Sequence, residues 1–257
     1  MGNRKGIGQT RWAAAQSKER EYWQDVCNNF NEFSRILDEK QAVLGKVANK
    51  VPEAIQLVPG DRGKVVEIGI GPLGIGVASL LTPPGSWEII GVEPLPPMCP
   101  SPKLSAMLRE ANIIPITFLQ RRGEDTRLTS DSFDLAICHN VLDHVQNWSQ
   151  ILREINRILK PGGHLILSVD TVCLLSKARW YFWDTLSANM KSDPNIIMHP
   201  FKFTAWQLEA MFPQNGFDLV YREATSRETL HRLMGKARRL VAVGRKGSSL
   251  AGTAFSD

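Results

Sequence analysis

The sequence lacks the features of a membrane-spanning or exported protein. It has 257 residues and no uninterrupted apolar run of about 18 residues, the length at which a helix begins to span a bilayer. Residues 1–11 are polar and basic, and no apolar signal segment follows them. Gly6 stands where an N-myristoylation motif requires serine or threonine. These absences predict a cytoplasmic protein with no membrane span.

Closely spaced cysteines are also missing. Cys27, Cys99, Cys138 and Cys173 are far apart and form no CxxC pair, whereas zinc sites and disulfide frameworks show recognisable cysteine spacings. The pattern predicts reduced thiols, no disulfide framework and no metal site. Internal repeats and low-complexity segments are absent as well.

The chain carries a formal net charge of +5, and much of its positive charge lies near the two ends. Clustered lysine and arginine bind nucleic acid or acidic lipid in some proteins, but they more often solvate exposed tails. Hydrophobic residues make up 43% of the chain and charged residues 22%, which is enough apolar material for a sizeable core. Nucleic acid is therefore not the expected partner, and the oligomeric state stays open.

Short apolar segments alternate with amphipathic ones. The strand-like segments are residues 64–68, 87–92, 116–119, 133–138, 164–169, 217–222 and 239–243. Helical patterns occupy residues 13–50, 74–81, 103–111, 148–159 and 205–212. Such alternation predicts an α/β, Rossmann-like, doubly wound fold, with a mainly parallel seven-stranded sheet and helices on both faces.

The strongest motif is a glycine-rich segment after the first predicted strand. Gly69, Gly71 and Gly74 satisfy GxGxxG, which brings a ligand close to the backbone at a helix N-terminus. A carboxylate at Glu67 would repel the pyrophosphate of a nicotinamide dinucleotide. It suits S-adenosylmethionine, which carries an ammonium and a sulfonium group. Glu93, at the end of the second strand, can bind the ribose hydroxyls of either cofactor.

Five segments, in this order, resemble the class I S-adenosylmethionine-dependent methyltransferases, and most of all their small-molecule branch, type 11. They are Glu67-x-Gly69-x-Gly71, Glu93, Gly123-Glu124-Asp125, Phe133-Asp134-Leu135 and Leu159-Lys160-Pro161-Gly162-Gly163. The resemblance runs from about residue 65 to residue 169 and more loosely to the end. Two departures are a glutamate at Glu93, where the family often has aspartate, and the prolines crowding residues 94–102.

The resemblance implies S-adenosylmethionine as cofactor. It also assigns residues to the methionine and ribose portions of that cofactor. Gly69, Gly71 and Gly74 would line the methionine and ribose side. Glu67 would lie near the amino group, through a direct or a water contact. Glu93 would bind the ribose diol.

The remaining motif residues would hold the adenine and face the reaction. Glu124 and Asp125 would flank the adenine, one carboxylate accepting from its exocyclic amine; a solvated turn is the alternative interpretation of this pair. His139 and Asn140, just past the fourth strand, would face the cofactor and the acceptor.

Candidate bases for deprotonating an acceptor are His139, Asp143, His144 and His199. A hydroxyl acceptor benefits from a general base. His199 stands where related small-molecule enzymes carry a substrate-side histidine. We therefore predict His199 and His139 as catalytic residues, and we expect His139 to face the cofactor more than to act as a base. For His199 the alternative is a hydrogen-bonded core histidine, and for His144 a structural role is expected.

One domain accounts for the chain. Residues 1–60 are predicted to form a basic tail and a helical extension, 64–170 the cofactor-binding core, 171–204 an aromatic insert or lid, and 205–245 a C-terminal helix and strands. The insert contains four consecutive aromatics, residues 180–183, which predict either a wall for a flat or greasy acceptor or plain lid packing.

The predicted function is methyl transfer from S-adenosylmethionine to a small-molecule acceptor, most often a hydroxyl of a secondary metabolite, sugar or lipid-like compound. Three alternatives stay open: a methyltransferase acting on RNA or protein, a nicotinamide-dependent oxidoreductase, and a non-catalytic binder. The fourth strand ends in Cys138-His139-Asn140-Val141, not in the Asp/Asn-Pro-Pro-Tyr type of signature that grips a flipped base. An oxidoreductase explains neither Glu67 nor the segment 160–163.

Overall fold

The computed structural model describes residues 6–56, 61–81, 86–110, 116–186, 198–223 and 238–247. Strands of one seven-stranded sheet are β1 (Gly63–Ile68), β2 (Trp87–Glu93), β3 (Thr117–Gln120), β4 (Phe133–His139), β5 (Leu159–Thr171), β6 (Phe217–Arg222) and β7 (Arg238–Lys246). The helices are α1 (Gln9–Asn28), α2 (Phe30–Lys50), α3 (Pro102–Glu110), α4 (Trp148–Ile158), α5 (Leu174–Leu186) and α6 (Ala205–Gln214). The predicted basic tail at residues 1–5 and the part of the insert at residues 187–197 lie outside the described residues.

The sheet is mixed, in the order β3-β2-β1-β4-β5-β7-β6. The five strands β3, β2, β1, β4 and β5 are parallel, and β7 runs antiparallel between β5 and β6. This is a Rossmann-like architecture, mostly parallel as predicted. In the register, Ile68 of β1 pairs with Val92 of β2 and Cys138 of β4, so these three strands end together where the strand order reverses. Ligands of open α/β sheets bind at such a reversal.

Alternating side chains of the strands build two cores, one on each face of the sheet. Val66 and Ile68 pack in the core that contains α4 and α6, and Val65 packs in the core that contains α2. Fully burying an aliphatic side chain contributes about 1.5–3 kcal/mol, so these two layers fix the ends of the strands relative to α2.

The N-terminal helical stretch predicted at residues 13–50 is two helices, because Asn29 interrupts it. Asn29 is extended, and its side chain accepts a hydrogen bond from the Glu32 N–H, which caps α2. The segment therefore forms two helices, α1 with 20 residues and α2 with 21 residues, instead of one continuous helix. Within the described ranges, no helix is both long enough and apolar enough to cross a membrane.

The α-helix predicted at residues 74–81 is wrong, and only a 3₁₀ turn at Ala78–Leu80 forms there. The Glu67 carboxylate accepts hydrogen bonds from the N–H groups of Val77 and Ala78, and the Gly76 N–H donates to Ser79 Oγ. Side chains that capture backbone donors in this way compete with the helical pattern. The glycine loop therefore leads into a buried turn.

The segment 160–163 was predicted to follow a helix that ends at Leu159, but it lies within β5. Helix α4 ends at Ile158, and β5 starts at the next residue. Lys160 Nζ contacts Asp134 Oδ1 at 2.6 Å, and Asp134 Oδ2 accepts from the Lys64 N–H. These contacts tie two of the family-like motifs together at the amino ends of β1, β4 and β5, far along the strands from their carboxyl ends.

Helix α6 starts with a reciprocal cap, which predicts a moderate loss of stability in Thr204→Ala. Thr204 Oγ1 accepts from the Gln207 N–H, and the Gln207 side chain accepts from the Thr204 N–H. We expect the free energy of unfolding to fall by about 1 kcal/mol, measured by urea denaturation. A loss equal to that of Lys50→Ala, at the exposed end of α2, would contradict the capping role.

Candidate functional site

A cavity of about 410 Å³ lies at the carboxyl ends of β1, β2 and β4. On the sheet side its wall includes Gly69, Gly71, Glu93, His139 and Asn140. On the opposite side it is covered by α1 and α2, which contribute Trp12, Gln16, Glu19, Tyr22, Trp23, Glu32, Arg35, Ile36, Glu39 and Lys40. The two N-terminal helices thus form a roof over the glycine loop.

The glycine loop needs its glycines for two reasons. Gly69 has a φ of 71°, and a Cβ added there would lie 2.3 Å from Val141 Cγ2. Gly71 has a φ of 86°, and its added Cβ would lie 3.0 Å from the Trp23 ring of the roof. Left-handed backbone at both positions favours glycine. Gly74 also has a positive φ, but it is absent from the cavity wall.

Glu67 is fully buried under the loop and does not line the cavity. Its two carboxylate oxygens accept from Val77 N–H at 3.0 Å and Ala78 N–H at 2.8 Å. Burial raises the pKa of Glu67, and the nearby charge of Lys40 opposes that rise. Its described contacts shape the turn beyond the loop, while the predicted contact to a cofactor amino group stays a prediction.

Glu93 lies on the cavity wall, held by backbone donors. Its Oε2 accepts from Gly71 N–H at 3.1 Å and its Oε1 from Leu95 N–H at 3.0 Å. Burial raises the pKa of Glu93 to about 7, against those two hydrogen bonds. A carboxylate has about four acceptor sites, so ribose hydroxyls can still donate to it.

The raised pKa of Glu93 predicts a contribution to stability that is lost as the pH rises from about 4.5 to about 7. In that window the folded protein holds a proton on Glu93 that the unfolded chain has lost, so this group lowers the free energy of unfolding as the pH increases. Glu19, with a pKa also near 7, acts in the same direction, whereas the lowered pKa of His139 acts in the opposite one. We expect the free energy of unfolding of Glu93→Gln, measured by urea denaturation, to rise relative to that of wild type as the pH increases through this window. A constant difference between the two proteins would contradict the assignment.

The residues predicted around adenine separate in the structure. Glu124 lines the cavity, and its Oε1 accepts from the N–H groups of Gln146 and Asn147. Asp125 is exposed, pairs with Arg127 and does not line the cavity. Of this pair, only Glu124 is placed to reach a ligand there.

His139 and Asn140 lie side by side on the cavity wall with unsatisfied polar atoms. His139 Nδ1 and Asn140 Oδ1 are buried and have no hydrogen-bond partner in the described part of the chain. Burial, together with the charges of Lys40 and Arg239, lowers the pKa of His139 well below its usual value, so its ring is neutral at neutral pH. Buried polar atoms without partners are rare in native proteins. These two fit a ligand that carries its own polar groups, as S-adenosylmethionine does.

His199 lines another part of the wall and is hydrogen-bonded to Asp143, which is buried behind it. Asp143 Oδ2 lies 2.7 Å from His199 Nδ1, although residues 143 and 199 belong to separate loops. Burial alone would raise the pKa of Asp143, but the neighbouring His144, the hydrogen bond from His199 and Lys202 hold it well below its usual range. Asp143 is therefore ionised, and it accepts a hydrogen bond from the Nδ1–H of His199.

Two further side chains complete this cluster. The rings of His144 and His199 have centroids 4.2 Å apart, and His144 Nδ1 lies 3.7 Å from Glu19 Oε2 of α1. Burial, reinforced by Asp143, raises the pKa of Glu19 to about 7, against a hydrogen bond from Trp23 and the charge of His199. Glu19 was not foreseen from the sequence, since it reaches the cluster only through the docking of α1.

Asp143, His144 and His199 also offer three ligand atoms within 4.8 Å of one another, a group able to hold a metal ion. The sequence predicted no metal site because these residues lack a metal-ligand spacing. The short hydrogen bond between Asp143 and His199 makes a proton-transfer pair the simpler interpretation.

The aromatic insert does not form the cavity wall within the described residues. Trp180 and Tyr181 pack edge to face at 5.0 Å between centroids, and Phe182 is 57% exposed. The aromatic side chains that line the cavity are Trp12, Tyr22 and Trp23 of the roof. An acceptor wall formed by the insert stays a prediction, because part of the insert lies outside the described residues.

Comparison with known proteins agrees with this geometry. Residues 66–167 match the family model described as "Methyltransferase domain", of type 11. The chain is 29% identical to thiol S-methyltransferase TMT1B of Homo sapiens over 152 residues, 56% of this chain and 59% of the human protein. It is 29% identical to the uncharacterized methyltransferase YcgJ of Bacillus subtilis over 160 residues, 62% of this chain and 58% of that protein.

Solved structures share the fold. The 1,6-didemethyltoxoflavin-N1-methyltransferase of Burkholderia thailandensis, with 1,6-didemethyltoxoflavin and S-adenosylhomocysteine bound, is similar at a TM-score of 0.56 and 15% identity, over 96% of this chain and 94% of that one. The chain spans about three-fifths of the length of the curated relatives described above. By its motifs, its sheet and the matching family model, residues 66–167 of this chain form a class I S-adenosylmethionine-dependent methyltransferase domain of type 11.

Proposed function

We propose that this protein transfers the methyl group of S-adenosylmethionine to a hydroxyl of a small-molecule acceptor, with His199 as the general base. The observation that carries the proposal is the Asp143–His199 hydrogen bond at 2.7 Å, because His199 lines the same cavity as His139, Asn140 and the glycine loop.

A hydroxyl acceptor is the acceptor that most needs such a pair. An alcohol is a weak nucleophile until it loses its proton, whereas an unprotonated amine needs no base and a thiol ionises more readily. With Nδ1 donating to Asp143, the neutral His199 ring leaves Nε2 free to accept the hydroxyl proton as the new O–C bond forms. Ionised Asp143 then stabilises the resulting imidazolium.

The bound cofactor supplies an electrophilic methyl group on sulfur, and the electron pair of the broken S–C bond stays on that sulfur. The chain contributes alignment and exclusion of water. The roof of α1 and α2 encloses the cavity, and holding two reactants in near-attack geometry supplies a large part of the rate. The burial of His139 beside Asn140 on the cavity wall, with its lowered pKa, supports a cofactor-facing role for it more than a role as a base.

The size and cover of the cavity support a small acceptor over a macromolecule. The cavity of about 410 Å³ lies under two helices, a size and cover that suit a small molecule better than a folded RNA or protein. Aromatic faces of Trp12, Tyr22 and Trp23 on the roof suit a ring-shaped acceptor.

The test is transfer of labelled methyl to matched acceptors: phenol, thiophenol and aniline, with a set of simple glycosides, total RNA and a protein mixture alongside. We expect label on hydroxyl compounds. Transfer to thiophenol alone, following the activity in the name of the human relative, would overturn the choice of acceptor atom. Transfer to RNA or protein alone would overturn the small-molecule part. A parallel arm with EDTA separates the proton-transfer pair, which should be insensitive, from a metal-dependent site.

A further inference from the structure

Three cationic side chains line the cavity: Arg35, Lys40 and Arg239. Arg239 pairs with Asp170 at 2.9 Å and with Glu39, and Arg35 pairs with Glu32 and Glu39. Lys40 differs, because it forms no hydrogen bond and no ion pair with any residue that the structure describes. Lys40 is also the most buried of the three, at 6% exposed.

The position of Lys40 in α2 explains why it is buried. It follows Phe33 by seven residues and precedes Val43 and Val47 by three and seven, and all four belong to the buried face of α2. An ammonium group on that face loses its hydration without gaining an ion-pair partner, an arrangement that proteins seldom keep without compensation. Burial lowers the pKa of Lys40, and the nearby charge of Glu67, which forms no ion pair with it, opposes that fall.

We propose that Lys40 binds the carboxylate of the methionine half of S-adenosylmethionine. This carboxylate is the single anionic group of the cofactor. Lys40 lies on the cavity wall together with Gly69, Gly71 and His139, at the ends of β1 and β4. Glu93 and Glu124 mark the ribose and adenine parts of the same cavity, so the methionine part falls to the Lys40 side.

The sign of the neighbouring charges supports this orientation. The cofactor's ammonium group has acceptors available in the same region, including the orphaned Asn140 Oδ1. Lys40 supplies the complementary donor for the carboxylate, so both charged groups of the amino acid find a partner. Because Lys40 belongs to α2, cofactor binding would also tie the helical roof to the sheet. The inference concerns the cofactor and does not depend on the proposed acceptor.

The test compares two ligands by calorimetry: S-adenosylmethionine and its decarboxylated form, which keeps the amine. We expect Lys40→Met to bind S-adenosylmethionine about 10- to 100-fold more weakly, as expected for loss of a charged hydrogen bond. Its affinity for the decarboxylated ligand should change less than about twofold. Lys40→Arg should recover part of the lost affinity, since it keeps the charge, and Lys50→Met, at the exposed end of α2, should bind both ligands normally.

Equal losses for the two ligands, or no loss for S-adenosylmethionine, would overturn the proposal. Wild type provides a check that needs no folded Lys40→Met: if it binds the two ligands equally tightly, no residue of this protein recognises the carboxylate and the assignment is wrong. Failure of the acceptor screen would leave these binding results intact, so the two proposals are tested separately.

Discussion

Replacing His199 with glutamine is expected to lower kcat on a hydroxyl acceptor by about 10²- to 10⁴-fold, the range that a positioned general base contributes. Glutamine keeps a polar side chain of similar length but accepts no proton. Because the cofactor contacts inferred above involve other residues, the affinity for S-adenosylmethionine should stay within about twofold of wild type. Initial rates with labelled cofactor, and calorimetry on the same preparations, measure the two quantities.

Asp143→Asn tests the chemical role of the Asp143–His199 pair apart from its role in packing. It preserves shape but no longer fixes the Nδ1–H tautomer or stabilises the imidazolium, so we expect a loss comparable to that of His199→Gln. The double variant should be hardly slower than either single variant, because the residues act as a unit. The matched control, His164→Gln in β5, lies outside the cavity wall and should keep the wild-type kcat.

A structural role for His199 would give a different pattern. His199→Gln would then lower the melting temperature and leave the kcat of the folded enzyme close to that of wild type. Additive losses in the double variant would likewise contradict a shared role of Asp143 and His199.

Much of the sheet could be predicted because its signals are local. Apolar runs such as residues 64–68 and 133–138 are short and bounded by turn residues, and the structure extends them by one residue each, to Gly63 and to His139. The position of Glu93 at the end of β2 could be predicted from the same signal, because a charged residue directly after an apolar run marks the carboxyl end of a strand.

The turn after the glycine loop could not be predicted, because its cause is not local. Residues 74–81 have an acceptable helical pattern, yet the carboxylate of Glu67, ten residues earlier, takes the N–H groups that would start the helix. The same interaction turns Glu67 away from the cavity wall. A motif match could locate this glutamate but could not show which way its side chain points.

The cluster around His199 was visible only in part for a similar reason. His199 was predicted as a base, and Asp143 was among the candidates, but residues 56 positions apart give no sequence signal of a hydrogen bond. Lys40 did leave a signal, a lysine on the apolar face of a helix between Phe33 and Val47. Such residues are rarely buried without a partner, so a charge at that position is worth searching for in other sequences.

Gly69→Ala is expected to be the most damaging small substitution in the glycine loop. The alanine would have to hold a φ of 71°, and its Cβ would stand 2.3 Å from Val141 Cγ2, a distance at which the backbone or Val141 must move. Left-handed strain costs about 1–2 kcal/mol, and overpacking in a closed site adds about 1–3 kcal/mol. We expect the free energy of unfolding to fall by about 2–5 kcal/mol, measured by urea denaturation.

The chain offers a matched control in Gly45→Ala. Gly45 is exposed in α2 and an added Cβ meets nothing within 4 Å, so the same substitution should stabilise the protein by about 0.5–1 kcal/mol. Opposite signs for one chemical change would show that the backbone conformation and the contact with Val141 cause the loss at Gly69. Because Val141 and Gly69 both line the cavity, Gly69→Ala should also weaken S-adenosylmethionine binding at temperatures where the variant remains folded. A folded variant with wild-type affinity would mean that the cofactor does not rest on this part of the loop.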